Sequence, residues 1–410
     1  MSDGPAIDAG RVVADLRELH ALTGSDAGAQ RLCWTETWRE ARSLLTKWLT
    51  ELGLALERDA AGNLWASLEG DSEPALAVGS HIDSVPDGGW LDGALGVMAA
   101  LGIVRAWAES GERPPRTLAL VDWADEEGAR FGRSLFGSSA FSGTLDPDAV
   151  RPLRDSGGRS IEEVLAENGV DLGRVREADA GQRRVGSYLE LHIEQGPVLE
   201  AEGLRAAAVS GCAGVERHRF RFRGQASHAG TTPMGRRRDA GLAAAVVALR
   251  VEEIGRGRGG VATTGALTLR PGIPTAVAGE ADLLVDLRHP DAGELAGMLD
   301  DATRAAEAAA AERDCEFERE HVWSIEPIPF DPGLVARARD ACREATGSDR
   351  VLVSGALHDA AEVARVAPAA MVFCPSIAGI SHAKEEDTSD ADLIAAIEAF
   401  GLLANHVLAA

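Results

Sequence analysis

The sequence has 410 residues, 45% of them hydrophobic, which is long and apolar enough for two domains with buried cores. It carries 41 Lys and Arg residues against 65 Asp and Glu residues, and the net charge of -24 disfavours nucleic acid and anionic membrane surfaces as partners. The five cysteines form no CxxC pair, which argues against a disulfide framework and a thiolate zinc site. Residues 1–11 do not resemble a signal peptide and no uninterrupted apolar run approaches a membrane span, so we expect a cytoplasmic protein.

Predicted helices and strands alternate in the first half of the chain. Apolar residues recur at helical spacing over 38–52, and the apolar run 75–79 predicts a buried strand. A second apolar helix is expected over about 95–108, and a second buried strand over 117–123. This alternation predicts an α/β domain with a mostly parallel sheet and helices on both of its faces.

Residues 211–325 follow a different pattern and are expected to form a second domain. The predicted elements are a strand at 218–223, a helix at 239–254, strands at 261–270 and 281–289, a helix at 292–313 and a strand at 316–323. This βαββαβ order is that of a ferredoxin-like module. Because helix and strand alternation resumes after it, we expect a discontinuous domain of residues 1–210 and 326–410 into which this module is inserted.

Five clusters of polar side chains fall where predicted strands or the turns after them end. They contain His81 with Asp83, Asp92 in a glycine-lined turn, the pair Glu126 and Glu127, His192 with Gln195, and His382. Each cluster alone is explained by a loop histidine, an Asp-Gly turn or a solvated helix start. Together they bring imidazole and carboxylate groups to one edge of the sheet, a mixture that favours zinc, manganese, cobalt or nickel over calcium or magnesium.

The spacing within these clusters suggests different roles. His81 and Asp83 lie two residues apart on one side of an extended segment, where Asp83 can orient the imidazole of a metal-binding His81. The carboxylate of Asp92 can bridge two cations. Glu126 and Glu127 are adjacent, so their side chains diverge, and one can bind metal while the other reaches a water molecule.

Five separate motifs resemble the M20 metallopeptidase superfamily, and more closely its hydantoinase/carbamoylase amidase branch. They read GSHIDSVPDGGWLDGALGV, DEEGARFG, LHIEQGPVLE, GQASHAGTTPMGRRRDA, and SGALHDAAEVA followed by PSIAGISHAKEEDT. The resemblance extends from about Leu19 to His406. It implies a hydrolase with two divalent metal ions per chain (zinc, or else manganese, cobalt or nickel) that cleaves a ureido or amide C–N bond in a small carboxylate-bearing substrate.

The resemblance also implies the metal ligands and the catalytic groups. The ligands would be His81, Asp92, Glu127, His192 and His382. Asp92 would be the bridge, and His81 and His192 would lie on different metals, one of them together with Glu127 and His382. Glu126 resembles the general base, and His228 in the insert resembles the group that polarises the scissile carbonyl.

The remaining implied residues belong to the substrate pocket and the dimer. Arg288 resembles the clamp for the substrate carboxylate, and Gln195, Gly355 and Ala356 are expected to face the substrate. In relatives the inserted module pairs across a two-fold axis and offers its histidine to the metals of the partner. We therefore expect a homodimer that shares its active sites.

Departures from the family pattern leave the substrate open. Thr275 stands where relatives carry an Asn that contacts substrate, Gly272 replaces an earlier Asn, and Lys384 stands where relatives tend to have Pro. The favoured substrate is an N-carbamoyl-L-amino acid, and the alternative is allantoate, a ureidoglycolate-type compound or another N-acyl amino acid. An aminopeptidase fits the motif wording less well. A binding protein that has lost catalysis is disfavoured because Glu126 and every expected ligand are present.

Overall fold

The computed structural model describes residues 4–410, which divide into two compact units. The first unit comprises the chain up to Ser210 together with Phe330–Ala410, and the second is Gly211–Pro329. The end of the insert expected from the sequence, residue 325, lies just before this boundary.

The strands and the α-helices of the described residues are numbered separately, each in chain order. The strands are β1 (Gly24–Ser25), β2 (Gly28–Ala29), β3 (Ala55–Arg58), β4 (Leu64–Leu68), β5 (Ala75–His81), β6 (Leu118–Trp123), β7 (Val185–Ile193), β8 (Ala207–Cys212), β9 (Gly214–Arg223), β10 (Ser227–His228), β11 (Val261–Arg270), β12 (Ala276–Val277), β13 (Glu280–His289), β14 (Glu316–Ile325), β15 (Ile328–Pro329), β16 (Val351–Ser354) and β17 (Ala369–Cys374). The α-helices are α1 (Ala9–Thr23), α2 (Glu36–Glu51), α3 (Ala94–Ser110), α4 (Phe136–Ser142), α5 (Pro147–Val150), α6 (Ile161–Glu167), α7 (Val198–Glu202), α8 (Ala240–Arg258), α9 (Ala292–Glu312), α10 (Pro332–Thr346), α11 (Asp359–Val363) and α12 (Asp390–Leu408).

The sheet of the first unit has a parallel centre and antiparallel edges. Strands β17, β7, β5 and β6 are neighbours in that order and run parallel. On one side β4 and β3 continue the sheet antiparallel, and on the other β8 pairs antiparallel with β17. The mostly parallel sheet that was predicted is thus limited to the centre. Helix α3 connects β5 to β6 as a crossover, whereas the short turn between β3 and β4 makes an antiparallel hairpin.

Helices lie on both faces of this sheet. Side chains such as Val78 of β5 and Leu189 of β7 join the core that includes α3 and α12. Side chains of the opposite parity, Trp123 of β6 and Tyr188 of β7, pack on the other face, where the Trp123 ring centroid lies 5.2 Å from that of Phe141 in α4.

Helix α12 is long and apolar enough to cross a membrane by length and composition alone, although Asp390, Asp392 and Glu398 interrupt its apolar sequence. In the structure α12 packs against α1, α3, α10 and β17, and most of its residues are buried. It is a core helix of the first unit.

The second unit contains a four-stranded antiparallel sheet in the order β11, β13, β9, β14. Helices α8 and α9 pack on one face of it through buried residues such as Phe220, Leu283 and Met298. The chain order β9, α8, β11, β13, α9, β14 is βαββαβ. The two-residue strands β10 and β12 form a separate ribbon.

Candidate metal centre and catalytic site

His81 and His192 lie on adjacent parallel strands and on the same face of the first unit's sheet. Strand β5 ends at His81 and β7 carries His192, and the pairing of Val78 with Leu189, continued along both strands, sets the two histidines opposite each other. Both side chains are buried, with ring centroids 5.9 Å apart. Strand alternation therefore brings two imidazoles together at one edge of the sheet.

Asp92 reaches these histidines from the turn that precedes α3. Its Oδ1 lies 3.5 Å from His81 Nε2 and 3.2 Å from His192 Nε2. The next residue, Gly93, has a φ of 63°, and a Cβ at this position would lie 2.3 Å from the ring of His81. Glycine is required at position 93 for both reasons.

Asp92, Glu127 and His382 form a second group. Asp92 Oδ2 lies 3.3 Å from His382 Nε2, and Glu127 Oε2 lies 3.6 Å from the same nitrogen. Asp92 thus belongs to both groups, and within each the possible ligand atoms lie within 4.8 Å of one another. The expectation that His81 and His192 lie on different metals is wrong for this arrangement, because adjacent strands bring both to the same oxygen of Asp92.

Each group has donor atoms suited to a divalent cation. The imidazole nitrogens that point away from Asp92 meet backbone oxygens, since His81 Nδ1 lies 3.1 Å from Asp83 O and His192 Nδ1 lies 2.9 Å from Ile193 O. A hydrogen on Nδ1 leaves Nε2 unprotonated, which is the state that binds metal. The residues present therefore fit the metal chemistry expected from the sequence.

Asp83 connects the end of β5 to the loop after β6. Its carboxylate accepts the backbone N–H groups of Glu126 and Glu127, each at 3.3 Å, and its Oδ1 lies 3.6 Å from His81 Nδ1. The shorter contact to His81 comes from the backbone oxygen of Asp83. Asp83 thus contacts the imidazole that it was expected to orient, and it also holds the loop that carries both glutamates.

Glu126 lies beside the first group of possible ligands, that of His81, Asp92 and His192, and belongs to neither of the two groups. Its Oε2 is 3.7 Å from His81 Nε2, and the residue is buried. Burial raises the pKa of Glu126 well above its usual value; His81 opposes this rise, and the carboxylates of Asp359 and Glu127 add to it. Burial and then the charge of Asp92 raise the pKa of Glu127 to about 7. Positive charge among these crowded carboxylates would stabilise their anionic forms.

Asp92 is stabilised as an anion by the histidines around it. Burial alone would raise the pKa of Asp92, but His192, His382 and His81 hold it well below its usual value. The hydrogen bond with Asp92 is the main cause that raises the pKa of His382 to about 9. A carboxylate that remains charged is suited to bridging two cations.

Gln195 lies among the possible metal ligands. Its Nε2 donates to Asp92 Oδ2 at 2.7 Å and lies 3.3 Å from His382 Nε2. Its backbone has a φ of 55°, which is uncommon for a residue other than glycine. This conformation directs the amide toward the second group.

Gly355 and Ala356 lie in a loop beside the first group. Ser354 Oγ accepts the backbone N–H of Ala356 at 3.1 Å and lies 2.9 Å from His358 Nε2. The ring centroid of the buried His358 lies 4.4 Å from that of His192.

Lys384, two residues after His382, is exposed and lines a separate cavity of about 270 Å³.

In the second unit, His228 and Thr275 meet at the β10–β12 ribbon. The backbone N–H of Ala229 donates to Thr275 O at 2.9 Å. The backbone N–H groups of Gly230 and Thr231 both donate to His228 Nδ1 at 3.1 Å. Because Nδ1 accepts, the neutral ring carries its hydrogen on Nε2 as a donor, and the side chain is exposed.

Arg288 lies at the other end of the second unit's sheet. Its Nε donates to Asp286 Oδ1 at 2.8 Å, and Asp286 Oδ2 accepts from Arg217 Nη2 at 2.7 Å. Strand β12 ends just before β13 begins at Glu280, and the extended strand from Glu280 to Arg288 spans about 26 Å. One copy of the second unit therefore does not bring His228 and Arg288 together.

Three buried residues near the possible ligands, Glu386, Glu190 and Arg31, were not anticipated, and neither was the half-buried Ser381. Glu386 and Ser381 contact the turn of Asp92, Glu190 Oε1 accepts from Ser80 Oγ, and Arg31 is fully buried. Burial lowers the pKa of Arg31 to about 10. The acidic run that follows His382 was a usable signal for Glu386, whereas Arg31 lies in a segment without a periodic pattern.

Comparisons with known proteins match almost the whole chain. The peptidase family M20/M25/M40 matches residues 77–406. The chain is 35% identical to an N-carbamoyl-L-amino-acid amidohydrolase of Paenarthrobacter aurescens, over 93% of this chain and 94% of that protein. It is 34% identical to the allantoate amidohydrolase of Escherichia coli (strain K12), over 92% of both. The crystal structure of an amidase of the hydantoinase/carbamoylase family from Burkholderia multivorans matches with a TM-score of 0.89 and 33% identity, over 98% of each chain.

The matched range includes both groups of possible ligands and the whole second unit. The resemblance inferred from the five motifs is confirmed by these matches. The chain therefore belongs to the peptidase family M20/M25/M40, within its hydantoinase/carbamoylase amidases, and is a hydrolase of C–N bonds.

Proposed function

We propose that the protein is a dinuclear metal-dependent amidohydrolase that hydrolyses the carbamoyl group of an N-carbamoyl-L-amino acid. The observation that carries this proposal is the pair of ligand groups that share Asp92 beside the buried Glu126. Similarity to amidohydrolases over nearly the whole chain supports the type of bond. We also propose a cytoplasmic location, in keeping with the free cysteines.

In this proposal two divalent ions (zinc, or else manganese, cobalt or nickel) supply Lewis acidity and lower the pKa of water at the site. Glu126 removes the proton from the attacking water, because it lies beside the ligands without being one of them. Burial favours its protonated form afterwards, and it passes the proton to the leaving nitrogen. The products are the amino acid and a carbamate, which decays to carbon dioxide and ammonia.

His228 is the proposed donor to the carbonyl oxygen under attack. Two backbone N–H groups occupy its Nδ1, so the neutral ring offers Nε2–H. A donor that is already oriented stabilises the negative charge that develops on this oxygen. Thr275 at the same ribbon is the proposed contact to the acyl group.

Arg288 is the proposed clamp for the substrate carboxylate. Its planar guanidinium suits two parallel hydrogen bonds to a carboxylate, and Asp286 fixes its orientation through Nε. In the first unit, Gln195 and the loop Gly355–Ala356 are the proposed contacts on the metal side of the substrate.

We propose a homodimer in which each active site uses residues of both chains. His228 and Arg288 lie at opposite ends of one second unit, about 26 Å of strand apart, which is too far for one small substrate. Two copies are needed for both to contact it. The edge strand β11 supports a pairing surface, because it is exposed along most of its length and presents Val261, Leu267 and Leu269.

Allantoate, a ureidoglycolate-type compound or another N-acyl amino acid is the second candidate substrate. The observation that favours it is Thr275, whose single hydroxyl has less hydrogen-bonding capacity than the amide that relatives carry there. Overall identity does not separate the two, since the allantoate and N-carbamoyl relatives are 34% and 35% identical to this chain. A metal-dependent binding protein without catalysis is disfavoured by the position of Glu126 beside the ligands.

A substrate screen tests the proposed function. The metal-loaded protein is offered N-carbamoyl, N-formyl and N-acetyl amino acids and allantoate, and both ammonia and free amine are measured. The proposal expects N-carbamoyl-L-amino acids to release both products in equal amounts. Turnover of allantoate alone would favour the second candidate, and no turnover of any of these compounds would contradict an amidohydrolase of this class.

A further inference from the structure

Glu386 is a buried carboxylate that supports the turn carrying Asp92. It is 1% exposed. Its Oε1 accepts the consecutive backbone N–H groups of Leu91 and Asp92, at 3.1 Å and 3.0 Å. These amides directly precede α3, whose N-cap Gly93 provides no side-chain hydrogen bond. Glu386 therefore satisfies two buried backbone donors of the turn immediately before the helix.

Glu386 also connects this turn to the loop of His382. Ser381 Oγ lies 2.9 Å from Glu386 Oε2 and 3.0 Å from Asp92 Oδ2. The hydroxyl thus stands between the supporting carboxylate and the shared one, next to His382 in the chain. Glu386 consequently contacts the backbone of Asp92 directly and the side chain of Asp92 only through Ser381.

The space around Glu386 is closed by the same turn. A Cβ added at Gly89 would lie 1.9 Å from Glu386 Oε1. Trp90 Nε1 donates to Asp387 Oδ1 at 3.3 Å and joins the two loops a second time. The turn is therefore packed directly on the carboxylate.

The two ligand groups differ in how they are held. His81 and His192 lie on central strands, and neither contacts Glu386 in the hydrogen bonds described above. His382 lies in a loop with a φ of 56°, and its side chain is 50% exposed. Its distance from Asp92 depends on the two loops that Glu386 joins.

We propose that Glu386 is a positioning residue for the bridging carboxylate, and that it sets the affinity of the Asp92–Glu127–His382 group for its metal ion. This inference rests on the proposed function, which assigns one cation to each group. Groups that orient metal ligands change metal affinity by about 10- to 100-fold when they are removed.

The test is a Zn²⁺ titration of the metal-stripped full-length protein in competition with a chromophoric chelator. In Glu386→Ala, the dissociation constant of one Zn²⁺ should rise by about 10- to 100-fold, while that of the other changes little. Glu386→Gln should remain close to wild type, because its amide oxygen accepts the two N–H groups and its NH₂ donates to Ser381. Glu385→Ala is the matched control, since Glu385 is the exposed neighbour.

Each other outcome has a definite meaning. Two unchanged Zn²⁺ dissociation constants in Glu386→Ala, or equal weakening of both ions with a lower Tm of the metal-free protein, would overturn the proposal. Weak binding by Glu386→Gln would overturn its hydrogen-bond basis. If Glu386→Ala does not fold, Ser381→Ala breaks only the link to the Asp92 side chain and should weaken the binding of the same ion.

The titration needs no substrate, so it also tests the metal pair itself. Wild-type protein that binds a single Zn²⁺ would refute the metal pair. Two bound ions with no effect of Glu386→Ala would refute only the positioning role of Glu386.

Discussion

Glu126 and Glu127 are neighbours in the chain but meet different partners. Glu127 Oε2 lies 3.6 Å from His382 Nε2 within the second ligand group, whereas Glu126 Oε2 approaches His81 Nε2 at 3.7 Å from outside both groups. Replacement of either carboxylate by an amide of the same shape removes the proposed base or the proposed ligand without creating a cavity. The same chemical change therefore tests two different roles.

Glu126→Gln should keep its metal and fold but lose activity by about 100-fold or more, the usual effect of removing a general base. Glu127→Gln should instead lose metal. Metal content by mass spectrometry and initial rates under metal saturation distinguish the two variants. An active Glu126→Gln beside a Glu127→Gln that keeps both ions would mean that the roles are reversed.

Arg288→Ala should weaken the binding of substrates through their carboxylate. Loss of a charge-assisted contact costs about 1.5–3 kcal/mol, which corresponds to about tenfold to over a hundredfold in affinity. The comparison is made with an analogue whose carboxylate is capped as an amide, and this analogue should be spared. Equal losses for both compounds would indicate that Arg288 only supports the fold with Asp286.

Thr275→Asn tests whether this position sets the acyl group that is accepted. The Asn amide offers both a donor group and an acceptor where Thr275 has one hydroxyl, beside the ribbon that carries His228. If Thr275 determines specificity, the variant should gain activity on N-carbamoyl amino acids relative to allantoate. The ratio of kcat/KM for the two compounds is the measurement, and an unchanged ratio would remove Thr275 from the specificity determinants.

At the scale of elements, the close approach of β5 and β6 holds the end of β5 at the ligands. Gly79 pairs with Val121, and a Cβ at Gly79 would lie 1.9 Å from Val121 O. Gly79→Ala should therefore destabilise the first unit by about 1–3 kcal/mol, as is usual for overpacking. Thermal unfolding of the metal-free protein measures this loss of stability.

Gly10→Ala is the matched control in the same unit. It lies in α1, where the nearest heavy atom to an added Cβ is 3.5 Å away, and alanine favours helix. This variant should be neutral or slightly stabilising. Equal destabilisation by both substitutions, or none by Gly79→Ala, would contradict the account of the β5–β6 contact.

The sequence predicts elements best where apolar periodicity is strong. The helix over 38–52 and the strands at 75–79 and 117–123 appear as α2, β5 and β6, and the expected alternation in the insert appears as β9 to β14. The hairpin of β3 and β4 was not foreseen, because all residues of β3 are exposed and leave no apolar pattern. This hairpin is one reason why the sheet is less parallel than expected.

The location of the ligands is likewise predictable only in part. Strand ends gather His81, Asp92, Glu127 and His192 at one edge, as the rule for ligands of α/β sheets predicts. The division of these residues into two groups cannot be predicted without the order of the strands in the sheet. Strands β5 and β7 are neighbours there, although β6 lies between them in the chain. Contacts of Glu386 depend on a loop that is remote in sequence from Asp92, which periodicity does not report.

At the scale of the whole molecule, the proposed dimer predicts complementation between two inactive variants. Glu126→Gln loses a group of the first unit, and His228→Ala loses one of the second. If His228 acts in the partner's site, a mixed dimer contains one site that lacks both groups and one that is intact. Random reassortment makes about half of the dimers mixed, so about a quarter of wild-type activity should return.

Subunit exchange must first be demonstrated by mass or by distinct tags. Each variant alone, taken through the same exchange, is the control for residual activity. Complete exchange without recovery would show that His228 serves its own chain or no site at all, and the shared-site proposal would be wrong.

In the proposed mechanism, catalysis requires two divalent ions held by the groups that share Asp92. The most direct measurement follows activity during stepwise return of Zn²⁺ or Mn²⁺ to thoroughly chelated protein, with bound metal determined by mass spectrometry at each step. We predict an inactive metal-free protein, with activity that reaches its plateau as bound metal approaches two ions per chain. Full activity in the chelated protein, or a plateau reached at one ion per chain, would contradict the proposed two-metal mechanism.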